Sequence, residues 1–243
     1  MYPIQERIRY SDSAQRPVTA LGEDPGMTVV DAPEQSSRRS RTRERLLDAA
    51  YDVFAETGVH SASVEQVSER AGFTRGAFYS NFTSKEELFF ALMERENGAR
   101  LAGLVEQMGR TLPKLAGTAE PLTAEALGAV VLDFLHGPFD DDRRWCLVQA
   151  EFELLALRDP AIAPRYSGFR ARFDASLVDI IGSALQQVGR TFALEPTVAV
   201  RLVLASYEGA VKQSLLDGDS DDQSLERLRS SLTGVVIAVS APV

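Results

Sequence analysis

Between residues 63 and 87 the sequence starts a helix three times, and this constrains the fold more than any other feature. Ser63 is followed by Gln66 at the spacing of a capping box, so a helix starts at Ser63. Val64, Val67 and Ala71 form its apolar face, and Gly72 ends it. Thr74 caps a very short helix over 74–80. Ser84 and Glu87 make a second capping box and open a long helix through Leu88, Phe89 and Leu92 to about residue 110. The short middle helix is rich in aromatics, with Phe73, Phe78, Tyr79 and Phe82 in ten residues, and it carries a glycine, Gly76, in its interior.

Upstream, Leu46, Leu47, Ala50, Val53 and Phe54 keep helical spacing, which predicts a helix over 40–57 closed by Gly58. Downstream, helices are expected over 122–136, 142–157, 160–188, 196–217 and 221–240. Asp159-Pro160 and Glu195-Pro196 each read as a cap followed by proline at the first helical position. No segment alternates with period two, so the fold is expected to be all-α. Residues 1–37 have no sustained period and are punctuated by Pro3, Pro17, Pro25 and Pro33, which reads as a disordered tail.

The net charge of −9 argues against a nucleic-acid partner until its distribution is considered. Residues 38–85 hold eight Lys/Arg against six Asp/Glu, a net of +2, while residues 86–243 carry −8. Five of those basic residues, Arg38, Arg39, Arg41, Arg43 and Arg45, fall in one run beside the glycine-interrupted helix. No apolar run approaches the roughly 20 residues needed to span a bilayer. The one cysteine, Cys146, and the lack of an export signal fit a reduced, cytoplasmic protein.

Two short helices joined by Ala71-Gly72-Phe73-Thr74, behind a third, make a helix-turn-helix layout. In such a unit the second paired helix enters the DNA major groove, and its first residues meet base edges. Here those residues are Thr74, Arg75 and Gly76. Gly76 costs roughly 1 kcal/mol of helix propensity, a cost that close backbone approach to DNA would offset. Arg75 has the reach for guanine or phosphate, and Tyr79 offers a phenol to a phosphate. Phe73, Phe78 and Phe82 read as core. Ser84 and Lys85 open the next helix, where amides and the helix dipole favour an anion.

The stretch SVEQVSERAGFTRGAFYSNFTSKEELFFAL (63–92), with Phe54-Ala55-Glu56-Thr57-Gly58 upstream, resembles the DNA-binding domain of the tetracycline-repressor (TetR) family. The resemblance covers about 50 contiguous residues. It implies a helix-turn-helix domain over 38–88, followed by a larger helical ligand-binding and dimerisation domain over 89–243. It further implies a homodimer on a palindromic operator in double-stranded DNA, usually a repressor, usually released by a small molecule. By position, Thr74, Arg75, Gly76, Tyr79 and Ser80 would face DNA, and Thr42, Ser63 and Lys85 would hold phosphates. Charge alone adds Arg41 and its neighbours over 38–43.

In the remainder, Trp145, Gln149, Phe152 and Glu153 share one side of a helix, with Met108, Phe134, Phe169 and Phe173 placed to face them. They are the candidates for a mainly apolar effector cavity, although most would serve equally as core. Leu177, Ile180, Ile181, Ala184, Leu185 and Val188 form a broad apolar face, and Ala205, Gly209 and Gln213 a narrow one. The helices 160–188 and 196–217 are accordingly assigned to the dimer interface, against the plainer reading that both line one subunit's core. Residues 217–228 faintly resemble a calcium loop, but Asp222 stands where glycine is required and Leu228 where glutamate is. No metal site, cofactor motif or catalytic motif is found. An activator, or an adaptor acting through protein partners, is the alternative function.

Overall fold

The structure is a computed structural model and describes residues 32–116 and 142–243. The predicted helix 122–136, with Phe134 and His136, lies outside the described residues. Eight helices are described: α1 (Ala32–Thr57), α2 (Val64–Arg70), α3 (Arg75–Tyr79), α4 (Lys85–Ala116), α5 (Asp142–Arg158), α6 (Ala163–Gln187), α7 (Pro196–Asp217) and α8 (Asp221–Val239). Two short strands, β1 (Arg190–Phe192) and β2 (Ser240–Pro242), pair antiparallel with Thr191 opposite Ala241.

Local chemistry sets most boundaries. The Ser63–Gln66 box closes reciprocally at 3.1 and 2.8 Å. The second expected box closes one residue early: the Glu87 amide donates to Ser84 Oγ, but the Glu87 carboxylate accepts from both the amide and the hydroxyl of Thr83. Those two bonds hold Glu87 below the ordinary carboxylate range, the hydroxyl being the larger cause. Pro196 opens α7, and Glu195 accepts from the amides of Thr197 and Val198.

Three expectations are corrected. α1 begins at Ala32, so the tail predicted over 1–37 includes the first turns of a helix. Asp159 does not start α6; its carboxylate accepts from the Ala161 amide in a turn, and the helix starts at Ala163 with Pro164 in its first turn. The β1–β2 ribbon was not expected in an all-helical chain. It joins residues about fifty apart, closed by Arg190 donating to the hydroxyl and carbonyl of Ser240. The segment that failed as a calcium loop is an acidic turn: Gly218 ends α7, Ser220 caps α8, and Arg227 engages both Asp217 and Asp219.

The principal core runs without a break from α1–α3 into α4, α5 and α6. Phe152 of α5 sits at its centre, with the rings of Phe89, Phe90, Tyr166 and Phe169 all edge-to-face at 4.9–5.1 Å. Phe54 of α1 meets Phe89 in the same way at 5.1 Å. The boundary drawn at 88/89 therefore falls inside both α4 and one apolar cluster. Polar contacts tie the same parts. Glu151 accepts from the Val59 amide at 2.9 Å, and Arg144 pairs with Asp52, which also lies 3.7 Å from Arg70.

Candidate nucleic-acid interface

Helix α3 is five residues long, and each face has one task. Phe78 is fully buried, against Phe82 at 5.9 Å and Tyr79 at 5.3 Å. Thr74, Arg75, Gly76, Tyr79 and Ser80 are all exposed. The Thr74 hydroxyl accepts from the Ala77 amide at 3.3 Å and so fixes the start of the helix. The turn before it needs Gly72, whose φ of +71° is left-handed. The amides of Gly72 and Phe73 then donate back to Glu69 and Ser68.

The outward side chains are held ready rather than buried. Arg75 pairs with Glu65 at 2.7 Å, donates to the Tyr79 hydroxyl at 3.4 Å, and lies 5.4 Å over that ring. The hydrogen bond to Tyr79, with the charge of Glu65, raises the Arg75 pKa. The ion pair is exposed at both ends, and breaking it for another anion costs little. Tyr79 is 48% exposed, while its neighbour Phe78 is buried. Ser80 donates to the Gly76 carbonyl.

Gly76 carries the most information. Its backbone is not left-handed, and an added Cβ would meet only Thr74 Oγ1, at an ordinary 3.7 Å. The fold itself therefore gives no reason for glycine there.

Other expected contacts are placed less directly. Arg41 is exposed on α1, and the Thr42 hydroxyl donates to the Arg38 carbonyl. Ser63 is half-buried as the α2 cap. Lys85 is occupied by protein: its ammonium donates to the carbonyls of His60 (3.2 Å) and Ala62 (2.8 Å), tying α4 to the loop after α1. Arg39 and Arg43, in the run expected to reach DNA, instead donate to the carbonyls of Ser80 and Asn81. Nothing in a one-dimensional charge run distinguishes a capping arginine from a phosphate contact.

The effector candidates fall in two places among the described residues. Trp145, Phe152 and Phe169 belong to the principal core, Trp145 lying under the Arg100 guanidinium at 3.6 Å. Met108 is buried elsewhere, with Leu112, Ala184 and Ile180. Gln149 and Phe173 are half-buried and Glu153 is exposed.

The two helices expected at the dimer interface differ in what covers them. α6 spends its apolar face on α4: Ile180, Ile181, Ala184 and Val188 pack against Leu104, Met108 and Leu112. α7 instead leaves Val198 (48%) and Leu202 (45%) exposed, in line with exposed Ala205 and Gly209. The end of α8 adds Ile237 (42%) beside exposed Gly234. Ala193, just before α7, donates to the Val239 carbonyl, which puts these two stretches side by side. Cys146 packs half-buried on the inner side of the same helix pair.

Comparison with known proteins agrees with this geometry. Residues 46–92 match the family model described as bacterial regulatory proteins, tetR family, and residues 122–238 match the tetracyclin repressor-like C-terminal domain. The transcriptional repressor AcnR of Corynebacterium diphtheriae is 29% identical over 207 residues, 83% of this chain and 93% of AcnR. A transcriptional regulator from Rhodococcus sp. RHA1 superposes with a TM-score of 0.53 at 26% identity, covering 81% of this chain and 95% of that one. The fold also matches SmeT in a triclosan complex, with a TM-score of 0.54 at 23% identity over 82% of this chain and 91% of SmeT. No helix among the described residues is long and apolar enough to cross a membrane. With residues 46–92 and 122–238 both matched and a helix-turn-helix over α2 and α3, the chain belongs to the TetR family of bacterial regulatory proteins.

Proposed function

We propose that the chain is a ligand-responsive transcriptional repressor that binds a palindromic operator as a homodimer in the cytoplasm. One observation carries the reading: α3 turns Thr74, Arg75, Gly76, Tyr79 and Ser80 outward, and the protein's own packing leaves Gly76 unexplained. A major groove accounts for all five at once. Repression is supported by the printed role of AcnR, and response to a small molecule by the triclosan complex of SmeT. Arg41, Thr42, Ser63 and Lys85 remain candidates for the flanking phosphates. For Lys85 this role needs its ammonium to share donors with the loop carbonyls it already holds.

The homodimer is best supported by the apolar strip of Val198, Leu202, Ala205 and Gly209 on α7 with Gly234 and Ile237 on α8. Side by side, two such strips form a helical bundle of the kind that buries an obligate interface. The dimer must hold two α3 helices roughly 34–36 Å apart to meet successive major grooves. An effector that favours another spacing lowers the population competent for DNA. The effector is expected to be largely apolar, held in the domain formed by 89–243.

The test is selection of the purified protein against a random-sequence DNA pool at two salt concentrations. A recovered palindrome, bound more weakly at higher salt, establishes a dimeric operator reader. A folded dimer that enriches no sequence, with and without candidate apolar effectors, refutes it in favour of an adaptor acting through proteins.

A further inference from the structure

Three arginines of α1 end on backbone carbonyls of the reading unit. Arg39 donates to the Ser80 carbonyl and Arg43 to that of Asn81, each at 3.3 Å, and both carbonyls lie at the end of α3. Arg45 donates to the Ala71 carbonyl at 2.8 Å, at the end of α2. Two of the guanidiniums also lie over rings that frame the turn and α3. Arg43 is 4.3 Å from the Phe82 ring centre, and Arg45 is 4.6 Å from that of Phe73. Gly72 makes room for Arg45, since a Cβ there would stand 3.1 Å from its Nη2. The last carbonyls of a helix carry the negative end of its dipole and lack intrahelical partners, so a guanidinium there is favourable on both counts.

We infer that Arg43 and Arg45 are positioning residues: they fix the pitch of α3 against α1 and so the aim of Arg75 and Tyr79, and they are not phosphate contacts. The inference rests on the operator-reading function proposed above. A five-residue helix has little rigidity of its own, and its direction depends on what grips its ends. Each grip combines one guanidinium N–H donated to a carbonyl with the flat face of the same cation on an aromatic ring. Lysine keeps the charge but lacks the planar guanidinium that makes both contacts at once. Charge and geometry can therefore be separated by substitution.

The experiment uses the full-length dimer and the operator recovered by selection. Arg43→Lys/Arg45→Lys and Arg43→Gln/Arg45→Gln are compared with wild type on operator and scrambled duplex, across a salt series. The expected result for the lysine pair is operator binding at least tenfold weaker, about 1.4 kcal/mol, with scrambled-duplex binding within about twofold of wild type. For the glutamine pair the slope of log affinity against log salt is expected to match wild type, because no phosphate contact is lost. Two phosphate contacts would instead leave the lysine pair near wild type and reduce the slope by roughly 2 with glutamine, and either result overturns the proposal. Melting temperatures are recorded alongside. If a double variant melts below the assay range, the single Arg43→Lys variant carries the same comparison. A purely stabilising role would lower the melting temperature while leaving operator affinity of the folded protein unchanged, and that too overturns the proposal. If wild type selects no operator, the function and this inference fall together. If wild type selects one and the lysine variants bind it equally well, only the inference falls.

Discussion

Replacing Gly76 with alanine should move stability and function in opposite directions. Gly76 occupies the second position of α3, with ordinary helical backbone and open space where a Cβ would go; the nearest atom, Thr74 Oγ1, would be 3.7 Å away. The methyl group thus meets no clash inside the protein and leaves the Thr74 cap intact. Alanine restricts the unfolded chain and favours the helix by roughly 0.5–1 kcal/mol. In a chain of 243 residues that corresponds to a rise in melting temperature of about 1–4 °C. On DNA the same methyl group occupies the gap through which the backbone approaches the groove floor. Loss of that approach is expected to weaken operator binding at least tenfold, about 1.4 kcal/mol. Differential scanning fluorimetry reads the first quantity and fluorescence anisotropy on the selected operator reads the second. A lower melting temperature would show that the environment of α3 is misjudged. Unchanged operator affinity would show that Gly76 is not kept for DNA.

Further outcomes follow from the packing and electrostatics. Phe152→Ala removes a ring in contact with four others and should cost about 3–5 kcal/mol, measured by urea unfolding followed at both helical and aromatic signals; a loss below 1 kcal/mol would contradict its central place in the core. Leu202→Arg places a charge in the proposed subunit contact and should weaken dimerisation about 100-fold, ~2.8 kcal/mol, by light scattering over a dilution series; an undisturbed dimer would move the interface elsewhere. Glu87 has its folded-state pKa depressed below the ordinary 4.5, so its contribution to stability is complete above that value and is lost as pH falls through the folded value. Glu87→Gln should therefore lose less stability than wild type between pH 7 and pH 3, by under about 1 kcal/mol given its partial exposure, and equal losses in both proteins would remove the bond to Thr83 as the cause.

What could be read beforehand was what neighbouring residues decide. The Ser63–Gln66 box, the turn at Gly72, the Thr74 cap and the inward Phe78 all depend on atoms a few positions apart, and the exposed face of α3 follows from them. The misses involve distant partners. The early start of α1 carries no apolar period in its first turns, so charge and proline masked it. The ribbon of Arg190–Phe192 with Ser240–Pro242 is too short to alternate visibly. Periodicity showed that α6 has a broad apolar face but not that α4 covers it. The effector candidates show the same limit: helical spacing put Trp145 and Phe152 on one side of α5, and only the fold shows Met108 in a different cluster. The arginines of α1 announced positive charge without saying that carbonyls would receive it.

The edge-to-face series of rings from Phe54 through Phe89 to Phe152 and on to Tyr166 and Phe169 has a consequence for protein engineering. Hybrid regulators are commonly conceived as one protein's reading head spliced to another's sensor. In this molecule a splice at residue 88 would cut between rings that are each other's solvent. Phe54 would travel with the head, while Phe89 and Phe152 stayed with the body. A transplantable unit must therefore carry Phe89 and Phe90 with the head and install rings equivalent to Phe152 and Phe169 in the recipient, and Glu151 with them to meet the Val59 amide. The heritable module is larger than the DNA-binding domain, and its border follows the aromatic rings rather than the helix count.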